Sequence, residues 1–160
     1  YLYKEIFPEP EALLTEFPKL VGVDGRKMSK SYDNAIFLSD SPEDVERKIM
    51  TMVTDPARVR RTDPGNPERS PVYQLHKIFS SIEEVEEVGV GCATAGIGCI
   101  DCKKILLKNI FRVLEPIWKK RNELINNPDI LSDIVKSGSE KAKKTVRETM
   151  QLVREAMGLY

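Results

Sequence analysis

The chain has 160 residues, with 25 Lys and Arg balancing 25 Asp and Glu. A net charge of zero excludes a generic polyanion binder but leaves room for local basic faces. Apolar residues make up 41% and charged residues 31%, the balance of a soluble, helix-rich fold. No apolar run approaches the ~18–20 residues that cross a bilayer, so no membrane partner is expected, and no signal or transit pattern is present. The chain begins at Tyr1 rather than Met, which points to a fragment of a longer protein.

In chain order, FPEPEALL leads from a turn into a short helix. KLVGV, residues 19–23, is apolar and β-branched and ends at Asp24-Gly25, which predicts a short buried strand. DGRKMSKSYDN follows as a basic loop. Ser41-Pro42-Glu43-Asp44 combines a hydroxyl N-cap, a first-turn proline and first-turn acids, and starts a helix running to about Val53. Residues 55–70 read as a loop containing RVRR. Pro71–Phe79 and Ile82 to about Val90 read as helices, and GCATAGIGC as irregular. A long helix begins at Asp101, with Leu106, Ile110, Val113, Leu114 and Ile117 on its inner face. Lys104, Lys108, Arg112 and Lys119 lie opposite. Pro116 should kink or interrupt it, and Asn126-Asn127-Pro128 ends it. A short helix to about Lys136, a break at Gly138 and a last helix from Ser139 to about Met157 complete the chain. In that last helix Ala142, Val146, Met150, Val153 and Met157 are expected inward.

Lys27-Met28-Ser29-Lys30-Ser31 is the most informative stretch. A solvated turn is its ordinary explanation, yet the full pentapeptide arises by chance in a chain this size with a frequency on the order of 10⁻⁴. The chemistry supports a phosphate clamp. Displacing pyrophosphate from a nucleoside triphosphate builds charge on the leaving oxygens, and two ammonium groups aimed there favour the transition state. Lysine supplies a point charge on a flexible stem. Hydroxyls and loop amides cradle oxygens, and Gly25 lets the loop bend.

KMSKS resembles the second signature of class I aminoacyl-tRNA synthetases. VDGRKMSKSYDNAIFLSD, the helix ending in MVTDP, DPGNPE and PVYQLHKIF are similar to the bacterial tryptophanyl-tRNA synthetases, from about Phe7 to the C-terminus. The resemblance implies that Lys27 and Lys30 contact the ATP triphosphate, Lys30 foremost, while Met28, Ser29 and Ser31 shape the loop. It implies a mainly α chain in two parts. Residues 1–38 would be the C-terminal edge of a Rossmann-type catalytic domain, a short strand plus the KMSKS loop, and 39–160 a helical anticodon-binding domain. It further implies Mg²⁺, L-tryptophan and tRNA(Trp) as partners, a homodimeric parent and a cytoplasmic setting. One departure is large: the HIGH signature is absent, and the single histidine, His76, sits in a short amphipathic helix as a structural residue. The fragment alone is therefore expected to be inactive. A tyrosyl-tRNA synthetase fragment is the nearest alternative reading. A non-catalytic helical RNA-binding or metal-binding module is another.

Cys92, Cys99 and Cys102 form C-x6-C-x2-C. Three thiolates suit zinc or a [4Fe–4S] cluster, both of which want four ligands; three reduced thiols are the plain alternative. The helix starting near Cys102 would favour its thiolate. Within the resembled family, a subset carries a cluster on these three positions plus an upstream cysteine, and here Ser70 stands at the upstream position. Lys103 to Arg121 holds seven basic residues and one acid, whereas residues 62–102 hold seven acids and two bases. That segregation suits a one-sided phosphate contact, and by resemblance Lys143, Arg147 and Arg154 are tRNA candidates.

Overall fold

The protein is described from a computed structural model covering residues 6–159. Its elements are α1 (Pro42–Thr51), α2 (Pro71–Phe79), α3 (Ile82–Ala93), α4 (Cys99–Ile125) and α5 (Pro128–Met157), with 3₁₀ turns at Lys30–Tyr32 and Pro67–Arg69. The fold is mainly helical, and no strand occurs among the described residues. KLVGV forms only an isolated antiparallel bridge, Val21 to Lys27. The reason lies in its backbone partners: the Gly22 N–H donates to the Arg26 carbonyl, the Val23 N–H to Asn34, and the Val23 carbonyl accepts from Val53. The expected helix in FPEPEALL is also absent, as two prolines in four residues remove two helix donors.

The described chain forms two compact units, residues 14–119 and the stretch through Leu13 together with Lys120 onward. The first unit has the hydrophobic core: Val45, Ile49 and Met52 of the α1 region, Val72 and Leu75 of α2, and Leu106, Ile110 and Leu114 of α4. At Ser41 capping follows the sequence signal. Ser41 accepts from the Asp44 N–H, and Ser81 with Glu84 makes a reciprocal capping box on α3. Val21, Val23, Ile36, Trp118 and Phe111 pack against this core, so the segment carrying KMSKS rests on it.

α4 departs from expectation in three ways. It starts at Cys99, it runs unbroken through Pro116, and Val113 is 44% exposed although it lies on the apolar stripe. Pro116 and Arg112 are both exposed, so water can satisfy the carbonyl that proline leaves without a donor. Its basic residues Lys104, Lys108, Arg112 and Lys119 are all exposed, as the charge pattern indicates.

In the second unit, α5 is one helix of 30 residues. Asn127 closes the preceding turn by donating to the Glu123 carbonyl, and Pro128 opens α5. Gly138 does not break it. A mid-helix glycine costs only ~1 kcal/mol relative to alanine, and no atom approaches its missing side chain. No residue of α5 is buried; Val146, Met150 and Met157, expected inward, are exposed. Gly138→Ala should therefore raise stability by about 0.5–1 kcal/mol. A higher urea midpoint at unchanged m value checks this, and an unchanged or lower midpoint would show that α5 is interrupted there.

Candidate functional site

The loop begins as a tight antiparallel turn. Gly22 donates to the Arg26 carbonyl at 2.7 Å and Met28 to the Leu20 carbonyl at 2.9 Å. Gly25 takes φ +82°, in the left-handed region where a side chain is strained. Residues 30–32 then wind into the 3₁₀ turn, closed by Asp33 in the left-handed conformation.

One side chain closes this loop from inside. Asn34 is 1% exposed. Its Oδ1 accepts from the Ser29 N–H at 2.8 Å, and its Nδ2 donates to Asp24 Oδ1 at 2.7 Å and to the Lys27 carbonyl at 3.1 Å. A single amide thus ties the turn, the first lysine and the Met-Ser junction together. Gly22 is required beneath it, because a Cβ there would lie 2.3 Å from Asn34 Nδ2. The Asn34 hydrogen bond foremost, then those from Arg26, hold the Asp24 carboxyl down at about 2. The Asp24 contribution to the loop is present above its ordinary value near 4 and is lost as pH falls through about 2.

This frame leaves Lys27, Lys30 and Ser31 exposed, with Met28 and Ser29 half-buried. Neither lysine ammonium has an ion-pair partner among the described residues. The nearest basic neighbour, Arg26, is engaged by Asp24 at 2.7 Å and lies over the Tyr32 ring. Ser29 and Ser31 hydroxyls are 2.9 Å apart. The loop therefore offers two free ammonium groups and two paired hydroxyls on a rigid base, an arrangement able to receive a polyanion.

The cysteines are brought together differently from the sequence expectation. Cys92 lies in α3, which extends to Ala93, and Cys99 and Cys102 lie in the first turn of α4. With Ser70, Asp55 and Arg58 they line a cavity of about 20 Å³, room for one water. Arg58 occupies its edge: Nη2 donates to the carbonyls of Ile97 and Arg61, each at 2.8 Å, and Nη1 lies 3.9 Å from Cys99 Sγ. Asp55 anchors the loop before it, accepting from the backbone N–H of Ala57 and Asn66. Those two donors hold its carboxyl below the usual range.

Cys102 does not gain thiolate character from the helix start. Burial pushes its thiol up to about 12, and burial also raises Cys92. Among the described residues no group of three His, Cys, Asp or Glu side chains could hold a metal ion. The three thiols and Ser70 meet at one cavity without forming a complete ligand group among the described residues. Ser70 stands where a fourth thiol would complete the set, and the expectation of zinc or a [4Fe–4S] cluster at Cys92, Cys99, Cys102 and Ser70 finds no support among the described residues.

His76 is fully buried in α2. Nε2 faces the Cys102 carbonyl at 3.1 Å and Nδ1 the Ser80 hydroxyl at 2.7 Å. A carbonyl only accepts, so Nε2 bears the proton and Nδ1 accepts from Ser80. Burial lowers its pKa, which keeps it neutral and structural.

On α5, Lys143 pairs with Glu140 at 2.7 Å. Arg147 and Arg154 border a shallow groove with Val146, Met150, Gln151 and Glu155. All three basic residues are exposed. No helix among the described residues is long and apolar enough to cross a membrane.

A free-lysine loop of this sequence, seated on a helical core, has a family counterpart. The family described as tRNA synthetases class I (W and Y) matches residues 1–115, and the chain belongs to it. Within that family the similar proteins named here are on the tryptophan side. A tryptophan–tRNA ligase of Thermotoga maritima is 53% identical over 160 residues, 99% of this chain and 49% of its own length. One from Aquifex aeolicus is 49% identical over 99% of this chain and 40% of its own. The crystal structure of tryptophanyl-tRNA synthetase from Campylobacter jejuni complexed with ADP and tryptophan superimposes with a TM-score of 0.80 at 32% identity. That match covers 96% of this chain and 48% of the other. The chain thus spans about half the length of the relatives it matches.

Asn34, Asp55 and Arg58 escaped the sequence reading. Asn34 lies three residues beyond KMSKS, where Asp33-Asn34 reads as simple turn chemistry; only a demand for a partner to the loop's inward N–H groups would have singled it out. Asn34→Ala should destabilise the loop by about 2–3 kcal/mol, because it strands buried polar groups. Asn34→Asp should be as damaging, since it sets a second carboxylate against Asp24 and the Lys27 carbonyl. Trypsin should then cut after Lys27 and Lys30 in both variants much faster than in the wild type, and equal rates would show that the amide does not hold the loop.

The thiols give a second test. At pH 8, iodoacetamide should modify Cys102 last of the three, because its thiolate is scarce well above pH 9. Above pH 9 the unfolded chain releases the Cys102 proton while the folded one retains it, so stability should fall as pH rises toward 12. Mass spectrometry showing Cys102 labelled first would contradict the buried, neutral assignment.

Proposed function

We propose that this chain is the C-terminal part of a tryptophan–tRNA ligase and supplies the phosphate-binding loop of its ATP site. The observation that carries the reading is the pair of free ammonium groups, Lys27 and Lys30, on the loop latched by Asn34. The complete enzyme would join L-tryptophan to ATP as an adenylate, releasing pyrophosphate, and then esterify tRNA(Trp). The tryptophan carboxylate attacks the α-phosphate, so the protein need supply positioning and charge stabilisation rather than a nucleophile. Lys30, with Lys27 assisting, stabilises the charge that gathers on the departing β- and γ-phosphates. Met28, half-buried, seats the loop, and Ser29 and Ser31 face the phosphate oxygens. Mg²⁺ would arrive held by the triphosphate oxygens, the hard ligands it prefers.

Residues 1–38 then serve as the edge of the nucleotide-binding fold, with Val21–Val23 joining a sheet completed by the rest of the protein. Residues 39–160 serve the tRNA, with Lys143, Arg147 and Arg154 meeting phosphates near the anticodon. A homodimeric, cytoplasmic enzyme is the setting in which we place it. Tryptophan is favoured over tyrosine as substrate because relatives bearing the tryptophan name match along nearly the whole chain.

In the complete enzyme, Lys30→Ala should slow adenylate formation about 10²–10³-fold, the loss of ~2–4 kcal/mol of transition-state stabilisation, with tryptophan affinity little changed. Lys27→Ala should act in the same sense, more weakly. The chain by itself, which has no HIGH signature, should give no tryptophan-dependent pyrophosphate exchange. Single-turnover activation at the wild-type rate in Lys30→Ala would reduce the loop to a surface turn.

A further inference from the structure

Lys103 is a charged residue in the wrong place for a surface helix. It is 6% exposed, in the second turn of α4, and it pairs with no carboxylate among the described residues. Its ammonium donates to the Met50 carbonyl at 2.8 Å. That carbonyl belongs to the last turn of α1, where helix carbonyls lack intrahelical donors and the helix dipole favours a cation. Burial lowers the lysine's pKa, so the placement opposes folding unless the bond offsets it.

What lies beyond Met50 gives the bond a purpose. Three residues on, the Val53 N–H donates to the Val23 carbonyl at 3.0 Å, and the Val23 N–H donates to the Asn34 carbonyl at 3.0 Å. Asn34 holds Lys27 and Ser29 through its side chain. α1 also grips the far side of the loop, because Lys48 donates to the Ala35 carbonyl at 2.9 Å and to Asp40 at 2.6 Å. Val53, two residues past the end of α1, thus holds the KMSKS segment at its entry and Lys48 of α1 holds it at its exit, and Lys103 ties the last turn of α1 to α4.

We propose that Lys103 is a positioning residue for the KMSKS loop, acting through the C-terminus of α1 and the Val53–Val23 hydrogen bond to set where Lys27 and Lys30 stand. This rests on the reading of the loop as a phosphate clamp. The buried ammonium is there to fix the register of α1 against α4, which a hydrophobic side chain would leave free to slide.

The test is Lys103→Met in the complete protein, which keeps the stem and removes the donor; Lys103→Gln, with a donor on a shorter stem, should fall between the two. Hydrogen exchange should accelerate about 3- to 30-fold at the amides of Val53, Val23 and Ser29, the range expected for a coupling of this kind, while amides of α2 and α3 stay unchanged. Pyrophosphate exchange should lose a similar factor in kcat/KM for ATP with KM for tryptophan within about twofold. In a Lys30→Ala background the Lys103→Met loss should largely disappear, since both changes act on the same contact. Faster exchange confined to α1 and α4, or uniform across the protein, overturns the proposal, as does an activity loss that adds fully to that of Lys30→Ala. If the wild-type enzyme shows no exchange activity, the functional reading fails, and the amide pattern alone still decides whether Lys103 holds the loop.

Discussion

A buried carboxamide, that of Asn34, is the contact on which the functional surface of this chain depends. It satisfies the Ser29 N–H, the Lys27 carbonyl and the Asp24 carboxylate at once, so the loop needs no regular strand to hold its shape. Buried polar groups that lose such a partner cost about 1–3 kcal/mol each, enough to make the closed turn the preferred state of a short, glycine-containing segment. Because the latch is internal, the lysines can remain free. A loop held instead by its own ammonium groups would have to break those bonds to receive a phosphate. The engagement of Arg26 by Asp24 and Tyr32 keeps the third cation of the segment occupied and leaves the other two available.

The cysteine pocket shows the same economy of partners with a different result. Three thiols and a serine line one small cavity, with His76 and Arg58 as its polar neighbours. His76 is neutral and bonded to the Cys102 carbonyl, and Arg58 is committed to the Ile97 and Arg61 carbonyls. With Cys102 held near 12 by burial, its thiol packs against the core beside Leu106 rather than presenting a charge. Spacing in the sequence brings ligand types near one another; the dielectric around them decides whether they ionise.

The helical elements were largely legible because their signals are local. Ser41-Pro42-Glu43-Asp44 is read within four residues, and the core stripe of α4 follows its 3.6-residue period at Leu106, Ile110 and Leu114. The misreadings came where a local rule met a longer context. Gly138 and Pro116 both lie inside long helices that continue past them. Val21–Val23 has strand composition but finds its hydrogen-bond partners in a turn and at Val53, just beyond α1. Lys27 and Lys30 could be named from the pentapeptide. Asn34 and Lys103 could not: Asn34 bonds groups 5, 7 and 10 positions back that no periodicity links to it, and Lys103 meets Met50 at a separation of 53.

The latched loop is proposed to present Lys27 and Lys30 to a nucleotide's phosphates. Competitive acetylation of lysines in the complete protein, read by mass spectrometry with and without ATP and tryptophan, tests it most directly. Strong protection of Lys30 and clear protection of Lys27 are expected, with Lys143 and Lys144 labelled equally in both conditions. Equal labelling of Lys27 and Lys30 with and without nucleotide would contradict it.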